Sequence, residues 1–317
     1  MIKSITVVNY LGNELTLELA APEKSGLWVK SIEGIGPGKA SINVTNMASN
    51  DGGIFNSARA ETRNIELTLG MYEINIEDSE WSIEKSRLRT YTYFPKKRWV
   101  RLIFETDERF AYIDGYVESN EPDIFEKKET VSISIICPDP NFYDFGNYVV
   151  DLAEVTNNFE FPGVPESSET GYSNESTTEN LTEFGLISTD ISQTNIYYEG
   201  EIETGLYFKI KCLDTVRGFR LYNVQTAEKI EINDTKISAI VENGISAGDT
   251  IEICTIKGNK YATLTRAGDT YNIINSLGMN PNWFQLYKED NIFGFYATQG
   301  VSSVEIQMQY RLAYEGV

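Results

Sequence analysis

The sequence contains no histidine. That removes the Ser-His-Asp and Cys-His nucleophile systems and the common imidazole zinc sites. Cysteine is scarce: Cys137, Cys212 and Cys254 are far apart, odd in number and form no CxxC pair. Each lies in or beside a strand-like run, so buried reduced thiols are expected rather than a disulfide framework. No run approaches the ~18 apolar residues of a membrane span. The opening stretch, MIKSITVVNYLGNELTLEL, is short and β-branched before it alternates, unlike a signal peptide; neither ordinary secretion nor membrane insertion is expected. Basic residues are outnumbered, 27 Lys and Arg against 47 Asp and Glu, for a net charge of −20. Such a chain repels nucleic-acid phosphate, so direct DNA or RNA binding is not expected.

What is present is β-structure. The 317 residues are too many for one ordinary core and enough for two. Ile65, Leu67 and Leu69 alternate with polar neighbours, as do Val131, Ile133, Ile135 and Cys137, and, most cleanly, Val304, Ile306, Met308, Tyr310 and Leu312. Period two is the mark of a half-buried strand. Residues 98–104 and 110–117 read as a hairpin. One helix is expected within 78–95, capped by Asp78 or Ser79, with Trp81, Leu88 and Tyr91 on one face and Pro95 at its end. Residues 146–195 hold nine acids and no Lys or Arg, amid Ser, Thr and Asn; this composition buries little apolar surface. The expected organisation is therefore 1–145 as an N-terminal domain, 146–195 as an acidic linker, and 196–317 as a second domain of short strands, a jelly-roll β-sandwich.

Candidate sites are few. The glycines of GIGPGKAS (34–41) are wrongly spaced for a phosphate loop, and Ala40 follows Lys39 where Ser or Thr is required. Asp114 and Asp249 stand beside glycines in ordinary turn settings. No carboxylate spacing singles out an acid–base pair, so no catalytic residue, metal site or cofactor is expected. Two features point outward. Asn50, Gly52 and Gly53 open a soft loop that carries Arg59 and Arg63 into a strict strand, and long glycine-rich loops usually serve something outside their own domain. Between residues 85 and 109, eight bases, including Lys96, Lys97, Arg98 and Arg101, face only three acids. Such a corner suits an acidic partner such as a neighbouring copy, or is a solvated hairpin. Trp283 and Tyr287, flanking Phe284, could stack on sugar, although Trp-Phe in a sandwich more often closes the core.

Read in order, these elements resemble the distal tail protein family of long-tailed bacteriophages. The resemblance rests on GGIFNSARAETRNIELTLG (52–70), RLRTYTYFPKKRWVRLIFETDERFAYIDGYVES (87–119) and VSISIICPDPNFY (131–143). In the second half, SAGDTIEICTIKGNKYATL (246–264), NPNWFQLYKEDNIFGF (280–295) and VEIQMQYRLAYEGV (304–317) are similar to that family's galectin-like C-terminal domain. The resemblance implies a mainly β protein whose N-terminal β-sandwich-type domain, with one α-helix and a β-hairpin, builds a hexameric ring. It implies a structural, non-enzymatic hub at the virion tail tip, assembled in the bacterial cytoplasm. The implied partners are further copies of itself, the tail tube protein, the tail-associated or spike protein and a receptor-binding protein. Residues 50–63 would then reach a neighbouring copy. The long acidic linker departs from the family pattern. Two other classes stand beside the hub: a carbohydrate-binding tail adhesin and, more weakly, a wall-degrading hydrolase.

The composition of 146–195 carries its own test. Limited proteolysis of the native chain is expected to cut first between Pro165 and Leu181 and leave two stable halves. Earlier cleavage inside either flanking region would contradict the division.

Overall fold

The computed structural model describes residues 1–47, 51–71, 74–76, 79–125, 128–153, 193–278 and 281–317. Two compact units divide the chain: Met1–Asn147 with Glu199–Thr204 and Arg311–Val317, and Tyr148–Tyr198 with Gly205–Tyr310. Most of the acidic segment, 154–192, lies outside the described residues, as do Asn50 and Asp78. Both ends of that segment are strands, Tyr148–Ala153 and Gln193–Tyr198. Leu152 supplies the apolar residue that the acids around it conceal.

The first unit is organised by one antiparallel sheet. Its strands run in the order Glu14–Glu18, Ile2–Asn9, Trp99–Thr106, Phe110–Asp123, Thr130–Cys137, Arg63–Met71 and Leu27–Glu33. The alternating Ile65 and Leu67 and Ile133 and Ile135 point to one side, and Ile5 and Val7 with Val100 and Leu102 join them in a single core. Burying one such side chain contributes about 1.5–3 kcal/mol. The strand Phe142–Asp144 pairs with Phe110–Asp123 on one side and with Ala313–Tyr314 on the other. The clean alternation of 304–314 therefore ends as a strand at Tyr310, and the residues beyond it serve the first unit's sheet.

The helix of this unit is Ile83–Tyr93, capped by Ser82, whose side chain accepts from the Lys85 amide. Trp81 precedes it, in a short strand paired with Ile74–Ile76. The face expected to be apolar is not the buried one. Leu88 and Tyr91 are exposed, and Ser86 and Thr90, one turn apart, are buried. The helix is fastened by polar contacts. Ser86 Oγ donates to the Gly26 carbonyl at 3.2 Å, and Asn120 Nδ2 donates to the carbonyls of Thr90 and Phe94 at 3.2 and 3.1 Å. The Thr90 carbonyl also accepts from the Phe94 amide, and the Phe94 carbonyl is one that the helix end leaves without an intrahelical partner.

The second unit is a sandwich of two antiparallel sheets. Six strands follow the order Tyr148–Ala153, Val304–Tyr310, Tyr207–Cys212, Thr250–Cys254, Tyr261–Arg266 and Asp269–Asn272. Four follow the order Gln193–Tyr198, Glu289–Tyr296, Arg220–Asn223 and Lys229–Glu231. Phe208 of the first sheet packs edge-on against Phe293 of the second at 6.2 Å between ring centres, with Phe284 against them at 6.0 and 5.7 Å. A helix not anticipated from the sequence, Asp234–Ile240, is capped by Asn233 and buries only Ile237. Its seven residues are too few to show a helical period. Asp249, expected to be plain turn chemistry, is fully buried and gripped by Arg266 through both carboxylate oxygens, at 2.7 and 2.6 Å.

All three cysteines are buried thiols. Burial pushes Cys137 and Cys212 up to about 12 from an ordinary value of 9.0, and raises Cys254 as well. A thiol that ionises later in the folded chain than in the unfolded one favours folding below the ordinary value and loses that contribution as pH rises through it. Stability measured by urea unfolding is expected to be level near neutrality and to fall progressively above about pH 9. A thiol reagent at about pH 8 should modify none of the three until denaturant is added; rapid labelling of the native chain would refute the burial.

Candidate subunit interface

The segment read as a soft glycine loop is half of a two-stranded ribbon. Ala40–Asn46 pairs with Gly53–Ala60, and among the described residues this pair joins no other sheet. The sequence concealed the strand because Asp51 and Gly52 precede it in a bend and alanines replace the usual β-branched residues. Gly52 turns the chain at φ +94°. Gly53 has a packing role: a Cβ there would lie 2.4 Å from Val44 Cγ1. Near the tip, Asn56 is an extra residue, inserted where the register shifts between Asn43 and Val44.

The register makes the ribbon amphipathic. Cross-strand partners share a face, so Ala40, Ile42 and Val44 lie with Ala60, Ala58 and Phe55. Ser41, Asn43 and Thr45 lie with Arg59, Ser57 and Ile54 on the other face. Nearly all of it is solvent-exposed: Ile42 is 62% exposed, Phe55 63% and Ile54 53%. An isolated two-stranded ribbon is marginally stable in water at best, and this one presents its apolar face to solvent.

Arg63, expected at an interface, is instead a clamp inside the first unit at the base of the ribbon. It is 6% exposed. Its guanidinium donates to the carbonyls of Pro140 (2.7 Å), Gly34 (2.6 Å), Gly36 and Glu315 (2.7 Å), and lies 4.8 Å from the centre of the Phe142 ring. Burial lowers its pKa from the ordinary arginine value. Gly34, at φ +82°, has no room for a Cβ beside the Asn64 carbonyl, which lets the loop turn its oxygens onto the arginine. Beside the clamp, the base of the ribbon borders a cavity of about 260 Å³. Ala40, Ala58, Ala60, Pro140 and Ile202 line it, with Lys39, Arg59 and Glu315 also in its wall.

The basic corner is less concentrated than its sequence. Arg101 is spent on Asp114 through two hydrogen bonds of 2.7 and 2.9 Å, with the Tyr112 ring 4.1 Å away. Arg89 donates to the Ser25 carbonyl, and Arg109 to Gly316 and Glu201. Lys96, Lys97 and Arg98 are exposed on the turn before the hairpin, Lys97 at φ +63° and Arg98 over Tyr10.

In the second unit Phe284 takes the core position, whereas Trp283 is half-buried under the Lys260 ammonium at 5.4 Å. Tyr287 is exposed on a turn closed by Asn291, which accepts from the Tyr287 amide at 2.9 Å and donates to its carbonyl at 2.6 Å. The outward side of the six-stranded sheet is a second surface that sequence reading missed. Asp151, Gln307, Lys209, Glu252 and Thr263 stand side by side across five strands. Part of this row borders a cavity of about 300 Å³. Among the described residues, no three His, Cys, Asp or Glu side chains group closely enough to hold a metal ion.

The clamp predicts a specific loss. Arg63→Ala removes one charged donor set and leaves several carbonyls unpaired, at an expected cost of about 2–4 kcal/mol. Arg63→Lys should recover little, because an ammonium cannot span four oxygens arranged for a planar fork. Urea unfolding of the full chain checks both, and a wild-type midpoint for Arg63→Lys would overturn the clamp.

No protein-family model and no curated protein matches the chain. Among solved structures, the chain is similar to chains of the phage P2 baseplate in its activated conformation. With Ca the values are 13% identity, TM-score 0.44, and 98% of each chain covered; with Sr they are 13%, 0.42 and 97% of each. It is also similar to the SPP1 Dit protein, described as a paradigm of hub adsorption apparatus in Gram-positive infecting phages. That likeness has 12% identity and a TM-score of 0.62, and covers 97% of this chain and 99% of that one. Along nearly its whole length, the chain has the fold of that hub protein.

Proposed function

We propose that this chain is a structural hub of a phage tail tip. In this reading identical copies, six in number by the family resemblance, close into a ring through the first unit. The ring joins the tail tube to the tail-associated or spike protein and carries the receptor-binding protein. The chain performs no catalysis, acts at the tail tip of the virion and assembles in the bacterial cytoplasm. The likeness to a hub protein's fold supports this reading.

The observation that carries it is the ribbon. Its apolar face, Ile42, Val44 and Phe55 with three alanines, has no cover within its own sheet. Fully burying three such side chains contributes several kcal/mol per contact, at about 1.5–3 each. The exposed charges of Lys96, Lys97 and Arg98 contribute roughly 0.2–1 kcal/mol per pair. The ribbon is therefore the main adhesive, and the basic turn tunes approach to an acidic neighbour. Arg59, on the ribbon's polar face, belongs with the turn in that second role.

The adhesin reading is favoured by one observation, the row of hydrogen-bonding side chains beside the cavity of the second unit. A single experiment separates the two. Light scattering on the full chain should give a multiple of one chain's mass, near six. The variant Ile42→Ser with Val44→Ser and Phe55→Ser should fall to one chain's mass with unchanged circular dichroism. A wild-type monomer that binds cell-wall glycan would replace the hub with the adhesin.

A further inference from the structure

Phe125 is 95% exposed. It stands at the tip of the hairpin formed by Phe110–Asp123 and Thr130–Cys137, beside exposed Ile124. Asp123 Oδ1 accepts from the Phe125 amide at 3.3 Å, which ties the backbone at the ring to the end of the strand. An aromatic ring held out in water is the form an interface anchor takes: a large apolar side chain with no cover in its own subunit.

The same unit holds a recess for such an anchor at its other end. The cavity at the ribbon base has a floor of Ala40, Ala58 and Ala60, with Pro140 and Ile202 beside them. Small residues in these places leave a space of about 260 Å³, room for an aromatic ring. The flanking charges correspond. Acidic Glu121 and Asp123 precede Phe125, and the sequence after it runs Glu126, Lys127, Lys128, Glu129; Lys39 and Arg59 stand at the recess with acidic Glu315.

The anchor cannot reach the recess of its own chain. Strand register pairs Thr130 with Gly70 at the anchor's end of the sheet and Cys137 with Arg63 at the recess end. Seven residues at ~3.3 Å each separate the two ends by roughly 23 Å along rigid sheet. A donor at one end of a subunit and an acceptor at the other is the requirement for head-to-tail, heterologous contact, which closes into a ring when the rotation permits.

We propose that Phe125 of each copy inserts into the ribbon-base recess of the next copy, with Glu121 and Asp123 facing Lys39 and Arg59. The proposal rests on the ring reading and specifies a contact within it that is separate from the apolar face of the ribbon tip.

The test is a directed cross-link in the full chain. Phe125→Cys combined with Ala58→Cys should yield, under oxidation, a ladder of covalent multimers on a non-reducing gel. Neither single variant should do so, because the native thiols are buried. A bond within one chain is excluded, since a disulfide needs Cα atoms within ~7 Å. Phe125→Ala, at a position too exposed to unfold the chain, should weaken self-association at least about tenfold. Asp123→Lys should weaken it too, and Arg59→Glu added to Asp123→Lys should restore part of the loss. A wild-type ring that ignores Phe125→Ala and gives no ladder overturns this contact and leaves the ring standing. A wild-type chain that stays monomeric at every concentration overturns both.

Discussion

The first unit depends on one buried cation. Arg63 draws the Gly34–Gly36 loop, the turn at Pro140 and the tail at Glu315 onto a single guanidinium. These segments are far apart in sequence, so holding them together costs loop-closure and side-chain entropy that isolated hydrogen bonds between them would not offset. A planar fork with five donors performs the task because carbonyl oxygens can surround it on several sides, and stacking on Phe142 adds an apolar contact below. The clamp lies where the ribbon leaves the sheet. It therefore fixes the ribbon's base, and the Glu61 amide bonded to the Lys39 carbonyl closes that base from the other side.

Stability and the proposed association fall to different parts of this unit. The sheet buries Ile, Val, Leu and Phe from seven strands in one core, which gives a rigid body. The ribbon returns almost nothing to that core. Ala40, Ala58 and Ala60 minimise exposed apolar area at its base, and larger residues appear only farther out, at Ile42, Val44 and Phe55. A chain that placed the same three residues near the core would be more stable as a monomer. Their position outside it makes sense when their burial occurs between molecules.

Strands flanked by strict alternation were legible from the sequence, because period two is a direct consequence of one buried face. Thr130–Cys137 and Arg63–Met71 fall where their pattern places them. The rest was hidden for identifiable reasons. Half of the ribbon was legible, since Ile42 and Val44 alternate with Ser41, Asn43 and Thr45; its partner strand Gly53–Ala60 has both faces in solvent and no such period, and its turn glycines suggested a loop. Arg63 beside that loop looked like an outward charge; no residue near it in sequence announces that its partners are carbonyls at 34, 36, 140 and 315. The helix Ile83–Tyr93 falls inside the expected 78–95, but its cap is Ser82 rather than Asp78 or Ser79 and its last turn carries no base; its buried side is Ser86 and Thr90, with Asn120 bonded to its C-terminal carbonyls, and such polar fastening leaves no hydrophobic period. Phe125 was passed over because a lone aromatic in a polar turn has no pattern at all.

Rigidity is what makes the spacing between the two ends of the sheet informative. In a loop-rich subunit, an exposed aromatic and a distant recess would sample many separations, and their association would carry the entropy of ordering both. Here each sits at the end of the same paired strands, Arg63–Met71 with Thr130–Cys137, whose backbone hydrogen bonds fix their distance. One end is further ordered by Asp123 and the other by Arg63. In the proposed contact, the more of each element that is ordered beforehand, the less of the apolar gain is lost to ordering. The angle between successive copies would then be set by the twist of the sheet rather than by adaptable loops. A closed assembly of defined number needs that condition, since a heterologous contact with a variable angle gives open chains of mixed length.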